Sequence, residues 1–550
     1  MGAARESSTA TAAATTAAAG VLVTLAAGQF VMTLDSSVMN VSMATVAEDV
    51  GTTITGIQTA ITLYTLVMAT LMITGGKVGS IIGRKKAFLL GCCIYGAGSF
   101  TTGLAPNLPV LLFGWSFLEG VGAALILPAI VALVAANFEP AERPKAYGLV
   151  AAAGAVAVAA GPLIGGAATT YASWRWVFFG EVVIVAGILA LSRRVVDVPV
   201  TGGHRIDLVG TLLSVAGLGM AVFGVLRSSE WGWVSPKPGG PDLAGISPTF
   251  WLILAGLVVV WLFFVWEHHL VDTGGDPLVR PQMFANRQLN GGLIMFFFQF
   301  TLQAGVFFVV PLYLSVVLAL SAIETGLRVM PLSIALLAGA LGVPKLWPTA
   351  SPRRVVRAGL LLMLLGIVVL LSGIDIDADA SVVAVPMLLL GLGMGALASQ
   401  LGAVTVSSVP TSESGEVGGL QNTATNLGAS IGTAFAGSVL IAVLTASLIA
   451  GIQDNPAVPA DFKETAGVEL ASGVPFLSDV ALEEALAEAD VPADVAATVV
   501  DDNRDARIQG LDAALAVLAL VAAASLLFTR RLPDEPVGGE AEAEGGAGAP

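Results

Sequence analysis

The stretch TFWLILAGLVVVWLFFVW (residues 249–266) decides the class of fold, because 18 consecutive positions carry no charge. A helix of about 20 apolar residues, rising about 1.5 Å per residue, spans the hydrocarbon core of a bilayer. The whole chain of 550 residues is 55% hydrophobic and only 12% charged. A soluble domain carries about 25% charged residues. The sequence therefore predicts an all-α membrane protein.

Similar apolar segments recur along the chain and predict fourteen transmembrane helices. The first is too long for a cleaved signal peptide, and no small-residue cleavage site follows it. The predicted spans are 17–44, 54–76, 87–105, 108–135, 146–170, 176–192, 208–226, 249–266, 291–316, 322–343, 356–374, 382–409, 416–449 and 510–529.

Basic residues predict the orientation, because cytoplasmic loops collect Lys and Arg. With the N-terminus inside, 18 of the 25 basic residues fall on the cytoplasmic side and 7 outside. We therefore expect a multi-pass protein of the cytoplasmic membrane with both termini in the cytoplasm. The net charge of −15 is concentrated elsewhere, since 18 of the 40 acidic residues lie in 450–509 and 533–550. A nucleic-acid partner is not expected.

Weak internal repetition relates the two halves at an offset of eight helices. Gly161–Gly166 in the fifth span is matched by Gly428–Gly432 in the thirteenth. Repeated bundles place a substrate site near the bilayer midplane. The predicted division is a cytoplasmic tail at 1–16, a six-helix bundle at 17–192, two extra membrane helices with linkers at 193–290, a second six-helix bundle at 291–531 that includes an outer acidic insertion at 450–509, and a disordered acidic tail at 532–550.

Three motifs point to a family. They are LDSSVMNV (34–41) in the first span, the loop Gly76–Lys86, and GPLIGG (161–166) in the fifth span. With them the chain resembles the fourteen-helix drug:proton antiporters of the major facilitator superfamily. The resemblance implies two bundles that rock around a central cavity, and a substrate exchanged for protons.

The loop after the second span is expected to form part of a conformational latch. Gly76, Gly83, Arg84 and Lys85 match the pattern of the family, but Ser80 stands where an acid is usual. The latch is therefore expected to be weaker or to rely on helix-end dipoles. Plain anchoring of a basic loop at the cytoplasmic face is the alternative.

The glycines of the fifth span are expected to act in gating. Gly154, Gly161 and Gly165 are spaced seven and four residues apart and share one helix face, where another helix can approach closely. Pro162 disturbs the backbone ladder next to them, and Gly166 completes the motif. The hinge that these residues predict would limit leak between the bundles; close packing without gating is the alternative.

Acidic side chains inside predicted spans are the main candidates for chemistry. Asp35, Glu119 and Glu181 have no evident basic neighbour, and the position at which the family usually has an arginine is Ser116. Ionisable groups in a membrane are costly and are mainly retained for function. We expect these acids, with Asn40, to bind protons or substrate. A protonated acid bonded to a backbone carbonyl is the structural alternative.

Amide side chains are the candidates for the lining of the central cavity. Gln299 and Gln303 lie four residues apart on one predicted helix face. Interhelical hydrogen bonding without substrate contact is the alternative for each of them. The full set is Gln29, Gln299, Gln303, Gln421 and Asn422.

The predicted function is proton-coupled efflux of small amphipathic or cationic compounds by alternating access. A proton-coupled transporter of a specific metabolite and a non-transporting membrane receptor are the alternatives. No nucleophile–base pair is evident, and the two cysteines are adjacent at Cys92 and Cys93. The sequence therefore predicts no enzyme, no cofactor and no metal site. The expected partners are a small-molecule substrate, protons and the lipid bilayer, and the protein is expected to be monomeric.

Overall fold

A computed structural model of the chain describes residues 2–52, 54–197, 205–237, 240–455, 458, 463, 476–488 and 491–536. Apart from one isolated bridge between Leu243 and Ile246, the described residues form helices and turns. Thirteen described helices are long and apolar enough to cross a membrane. Helix Arg84–Gly103, rich in glycine and hydroxyl residues, has the 20 residues needed for a fourteenth. The predicted count of fourteen is thus approximately supported.

The first half contains six long helices, which cover the first six predicted spans. The fourth is continuous but includes a π-helical segment at Leu112–Glu119. The helices are α1 (Gly2–Asp49), α2 (Ile54–Ile82), α3 (Arg84–Gly103), α4 (Leu108–Asn137), α5 (Arg143–Tyr171) and α6 (Arg175–Leu191).

The second half begins with a helix pair and ends with a helix that extends beyond its predicted span. The ninth helix continues into a π-helical segment at Tyr313–Val317. The helices are α7 (Leu208–Trp231), α8 (Pro248–Asp272), α9 (Arg287–Leu312), α10 (Ala322–Leu346), α11 (Pro352–Leu371), α12 (Ala384–Ser407), α13 (Ser414–Asp454), α14 (Asp479–Glu488) and α15 (Ala493–Phe528).

Short polar side chains define where several of these helices begin. Asp207 accepts hydrogen bonds from the amides of Val209 and Gly210 at the start of α7. Ser321 and Glu324 form a capping box at the start of α10. These caps satisfy amide groups that the first turn of a helix leaves without partners. They fix the helix ends next to the membrane surface.

Each half packs as one bundle, and the second bundle repeats the packing of the first. In the first, α1 packs on α5, α2 and α3 pack on α4, and α3 packs on α6. In the second, α9 packs on α13, α10 and α11 pack on α12, and α11 packs on α15. The corresponding helices are eight positions apart among the fourteen membrane helices, as the sequence predicts. The described helices thus form two similar bundles with two intervening helices, the architecture that the resemblance in sequence implies.

The intervening pair α7 and α8 spans the line where the bundles meet. Helix α7 packs against both α2 and α13, and α8 packs on α7. On the loop between them, Trp233 Nε1 donates to Ser438 Oγ of α13 over 2.9 Å. The extra pair is therefore attached to both bundles rather than lying apart in the lipid.

The two bundles meet toward one end of the helices. We call this end the basic face, since it carries Lys77, Arg84, Lys145 and Lys345. The opposite end, with the described residues of 450–509, is called the acidic face. Backbones touch near the basic face, where a Cβ on Gly76 would lie 2.5 Å from the Gly415 carbonyl oxygen. Deeper in the span, Ser333 Oγ donates to the Ala155 carbonyl over 3.0 Å.

The direction in which the cleft between the bundles can open follows from these contacts. Among the described residues, the hydrogen bonds, ion pairs and close glycine contacts that join the bundles lie between the middle of the span and the basic face. The basic face is closed in this conformation. A central cleft can open only toward the acidic face.

Candidate functional site

The three acids predicted from sequence form one cluster inside the first bundle. Asp35 lies on α1, Glu119 at the end of the π-helical segment of α4, and Glu181 on α6. Their side chains are 0%, 0% and 1% exposed, and one carboxylate oxygen from each lies within 4.8 Å of the others. We call Asp35, Glu119 and Glu181 the acid triad.

Close packing of α3 on α4 helps to position Glu119. A Cβ on Gly98 would lie 2.6 Å from Glu119 Cγ and 2.7 Å from the Gly114 carbonyl oxygen. Glycine at position 98 therefore lets the two helices approach. The π-helical turn of Leu112–Glu119 changes the direction of the side chains that follow it, and such turns are frequent at functional sites.

Asp35 is held by an aromatic pair. Trp115 Nε1 donates to Asp35 Oδ1 over 2.7 Å. The indole is stacked on Tyr64, with ring centroids 5.1 Å apart and planes at 5°. Both rings are buried, so the donor is held in place by packing. The distance lies in the range of charge-assisted N–H to carboxylate hydrogen bonds.

Hydroxyl groups of α3 contact the other two acids. The Tyr95 and Ser99 hydroxyls lie 3.1 Å and 3.0 Å from Glu181 Oε2. Thr102 Oγ1 lies 3.2 Å from Glu119 Oε1. Within the described part of the chain, each triad acid keeps one oxygen without a partner and none forms an ion pair. Three acids therefore share a dry site with no compensating cation.

These aromatic and hydroxyl partners were missed in the sequence. Tyr95, Ser99 and Thr102 are spaced four and three residues apart, so they form one polar stripe on α3. All three side chains are fully buried. A polar stripe on an otherwise apolar membrane helix was the available signal. Ser116, where the family usually has an arginine, donates to the Ala60 carbonyl over 2.8 Å and supplies no charge.

The acid triad is also a set of oxygen ligands that a hard cation could use. Its spacing within 4.8 Å allows three carboxylate oxygens to contact one ion of the size of Ca²⁺, whose bonds to oxygen are about 2.3–2.6 Å long. The sequence predicts no metal site, and this expectation remains a prediction.

The glycines of the fifth predicted span lie against α1 of the same bundle. A Cβ on Gly161 would overlap Ser37, whose hydroxyl donates to the Val158 carbonyl over 3.1 Å. Gly165 faces Val38, and Gly154 faces Thr33 and Gln29. The glycine face thus fixes the distance between α5 and α1, the helix that carries Asp35, and does not form the contact between bundles.

The counterpart glycines of the second bundle are used in the same way. Gly428 and Gly432 on α13 lie against the carbonyl groups of Phe297 and Thr301 on α9. Gly166, by contrast, has open space where its Cβ would be. Pro162 lies within α5, but its side chain is outside the described part of the structure. The gating role predicted for these residues remains a prediction.

Replacing Gly161 with alanine is expected to lower the thermal stability of the protein, because the new methyl group collides with Ser37 and pushes α1 away from α5. Overpacking of this kind costs about 1–3 kcal/mol. Gly166→Ala is the matched control on the same helix, and its unfolding temperature in detergent should equal that of the wild type. Equal unfolding temperatures for the two variants would contradict the predicted collision.

An ion-pair cluster closes the basic face. Lys77 Nζ on α2 lies 3.1 Å from Asp276 Oδ1, after α8, and 3.2 Å from Glu416 Oε1 on α13. The lysine side chain is only 2% exposed and that of Glu416 7%. The sequence showed only that Ser80 stands where the family usually has an acidic residue. In the structure, Glu416 and Asp276 supply negative charge from outside the loop. We call Lys77, Asp276 and Glu416 the basic-face latch.

The other predicted latch residues support this closure. Gly83 has φ of 103°, a conformation open mainly to glycine, and begins the turn into α3. Arg84 Nη2 donates to the carbonyl groups of Thr411 and Ser412, over 2.7 Å and 2.8 Å, at the entry to α13. Lys85 Nζ donates to the Val195 carbonyl and stays within the first half. Arg84 thus reaches the other bundle, whereas Lys85 does not.

The predicted cavity amides occupy different environments. Gln299 is buried with one oxygen unpartnered among the described residues, and Gln303 is half-buried. Gln421 donates to Thr405, and Asn422 donates to the carbonyl of Gly418 on its own helix. Gln29 donates to Thr33 over 3.3 Å beside Gly154. The side chain of Asn40 lies outside the described part of the structure.

Comparison with known proteins agrees with this architecture. The sequence matches the family model described as Major Facilitator Superfamily over residues 25–433. The chain belongs to this superfamily, and it is a membrane transporter rather than an enzyme.

Among its relatives is the puromycin resistance protein pur8 of Streptomyces alboniger, 32% identical over 352 residues, or 64% of this chain and 67% of that protein. The tetracenomycin C resistance and export protein of Streptomyces glaucescens is 27% identical over 529 residues, covering 94% and 92% of the two chains. The fold is also similar to the human organic anion transporter MFSD10 (TETRAN), with a TM-score of 0.57, 11% identity and coverage of 93% and 99%.

Proposed function

We propose that this protein exports antibiotic-like small molecules from the cell in exchange for protons, by alternating access. The observation that carries the proposal is the acid triad, three fully buried carboxyl groups without a basic partner in the described structure. Burying an unpaired carboxylate in a low dielectric is costly, so the site favours uptake of protons. The relatives named for antibiotic resistance and export support the substrate class.

The orientation that fits this function puts the basic face in the cytoplasm of a cell with a cytoplasmic membrane. Both termini then lie inside, and the 450–509 segment lies outside. In this orientation the closed basic face excludes opening to the cytoplasm, as expected of the state in which an exporter releases substrate outside and takes up protons. The domain division at 17–192, 193–290 and 291–531 is part of the same proposal, as is a monomeric working unit.

Proton and substrate are proposed to bind at separate places. The acid triad is 0–1% exposed, so in this conformation a substrate in the central cleft cannot touch it. Coupling then acts through the helices that carry the acids. Helix α1 carries Asp35 and is packed by the glycine face of α5, and α5 in turn contacts α10 and α12 of the second bundle.

The test is transport in inside-out membrane vesicles whose lumen is acidified. Puromycin and tetracenomycin C are the first probes, since relatives of this chain are named for them. We expect at least one to accumulate in vesicles that contain the protein, and a protonophore to abolish the accumulation. Vesicles without the protein are the control. Accumulation that persists after the pH gradient has been collapsed would refute proton coupling.

A further inference from the structure

The donors and acceptors around the acid triad can be counted, and the count distinguishes the three acids. A threonine hydroxyl has one hydrogen to donate and lone pairs to accept. Thr102 Oγ1 lies 2.9 Å from the carbonyl oxygen of Gly98, four residues earlier on α3, and 3.2 Å from Glu119 Oε1. The carbonyl of Gly98 has no hydrogen, so Thr102 must donate to it. The single hydrogen of Thr102 is then used.

The contact between Thr102 and Glu119 is therefore a hydrogen bond only if Glu119 donates. A carboxyl group can donate only when it carries a proton. Ser99 also lies within reach of Glu119, but its hydroxyl has a single hydrogen, and Glu181 Oε2 lies 3.0 Å from it. With Ser99 donating to Glu181, an ionised Glu119 would have no donor among the described residues, since its second oxygen is unpartnered. A buried carboxylate in that position costs far more than a buried neutral acid. The geometry around Glu119 fits the neutral form.

Asp35 has the opposite environment. Its partner, the Trp115 indole N–H, can only donate, and the distance is 2.7 Å. That contact favours the ionised form of Asp35. Glu181 faces two hydroxyl groups, that of Tyr95 at 3.1 Å and that of Ser99 at 3.0 Å. Both can donate to an ionised Glu181.

We infer that Glu119 holds the transported proton in this conformation, that Asp35 and Glu181 are its ionised neighbours, and that Thr102 is a positioning residue for the proton. That this proton is the one transported rests on the proposed function; the protonation of Glu119 does not. The titratable groups that face Glu119 are Asp35 on α1, Tyr64 on α2, Tyr95 on α3 and Glu181 on α6. None of these carries a positive charge that would favour an ionised Glu119.

The chemical step is a proton exchange without any other reactant. The O–H bond of Glu119 breaks, the proton passes to water on the side to which the bundles open, and the electron pair stays on the carboxylate. Loading runs in reverse from the acidic face, the side toward which the bundles can part while the basic face stays closed. The charge left by release joins the charges of Asp35 and Glu181, so the empty triad is the unstable state.

Infrared difference spectroscopy of the purified protein tests this without any substrate. A protonated carboxyl group gives a C=O stretching band that a carboxylate lacks. We expect the wild type at neutral pH to show such a band that Glu119→Gln lacks and that Glu181→Gln and Asp35→Asn retain. A band that survives Glu119→Gln and disappears in Asp35→Asn would overturn the inference.

Thr102→Val gives a second test that does not require Glu119→Gln to fold. If Thr102 accepts from protonated Glu119, its loss destabilises the protonated form, and the band should appear only at a lower pH. One neutral hydrogen bond corresponds to about 0.7 pH unit, or about fivefold in proton affinity. Thr102→Ser should restore the wild-type midpoint. A shift to higher pH in Thr102→Val would show that Thr102 donates to a carboxylate, and would refute the inference.

Proton-coupled export and the assignment of the proton to Glu119 can be refuted separately. If the band belongs to Asp35, proton-driven export can still stand, because another triad member carries the proton. If the Glu119 band is present but vesicles show no pH-driven accumulation of any probe, the assignment stands and the proposed function falls. The infrared experiment is repeated in buffers with and without sodium. A Glu119 band that sodium removes would show an alkali ion in place of the proton and would overturn the inference.

Discussion

Asp35→Asn is expected to reduce pH-driven accumulation in vesicles to the level of vesicles that lack the protein. In the wild type, emptying the proton site leaves three carboxylates whose oxygens lie within 4.8 Å of one another. That repulsion is what forces proton release and uptake to accompany the change of conformation. Asparagine removes one of the charges permanently. The pH gradient then drives the change of conformation much less strongly.

The variant should still fold, because the side-chain carbonyl of asparagine can accept from Trp115 Nε1. It loses only the charge assistance of that hydrogen bond, about 1 kcal/mol. Binding of the transported probe to the purified protein should therefore persist. Asp35→Ala is expected to be less stable, since it leaves a buried indole N–H unsatisfied at a cost of about 1–3 kcal/mol. Measurements of binding and of transport together separate a coupling defect from misfolding.

Asp49→Asn is the matched control for Asp35→Asn. Asp49 ends the same helix and also accepts from an indole, that of Trp174, over 2.9 Å. Its side chain is 46% exposed and pairs with Arg175 at the acidic face. Surface ion pairs contribute about 0–1 kcal/mol. Asp49→Asn should transport like the wild type; if it fails to the same degree as Asp35→Asn, burial of Asp35 is not the reason for the defect.

The membrane helices could be predicted because lipid requires a certain length and an apolar composition. Both properties are visible in the sequence of each helix by itself. The predicted span 249–266 lies within α8, and 356–374 largely overlaps α11. Helix α15 begins at Ala493, before the predicted span 510–529, because hydropathy marks only the part of a helix within lipid.

The acid triad was only partly predictable. A charged residue within an apolar span is visible in the sequence, so Asp35, Glu119 and Glu181 were found individually. Their convergence depends on how α1, α4 and α6 pack, and single-sequence periodicity does not record packing between helices. Trp115 was missed because it looks like an ordinary buried residue of a membrane helix, whereas Thr102 was missed although it belongs to the polar stripe of α3.

The basic-face latch could not be predicted for the same reason, because its residues are far apart in the sequence and meet only when the helices pack. Comparison of the loop with its family found an acid missing at Ser80. It could not show that Glu416, 339 residues after Lys77, takes over as a charge partner. Nor could it show that Asp276, next to the extra helix pair, contacts the same lysine. Ion pairs in which a distant residue replaces the usual partner can be recognised only once the packing of the helices is known.

Lys77→Gln is expected to shift the conformational equilibrium toward opening of the basic face. The change leaves Glu416, whose side chain is 7% exposed, without its cation in the closed state. Removing one partner of a buried ion pair costs about 3–5 kcal/mol. Solvent at Asp276, 24% exposed, reduces this. We expect a shift of about 3 kcal/mol, or about a hundredfold in the ratio of closed to open molecules.

Distances between spin labels measure this shift. Lys145 on α5 and Lys345 on α10 are exposed on the basic face of the two bundles, and cysteines there can be labelled once Cys92 and Cys93 have been replaced. The wild type should give mainly the short distance, and Lys77→Gln a large population of a longer one. Lys86→Gln removes the same charge from an exposed position of the same loop and should leave the distribution unchanged.

The double variant Lys77→Gln/Glu416→Gln decides whether the ion pair is the cause. Removing both partners eliminates the uncompensated buried charge, so the closed state should regain part of its population despite the loss of the pair. A general loss of packing at the basic face would instead be additive, and the double variant would be more open than either single one. Additive opening would show that the charges of the latch do not hold the bundles together.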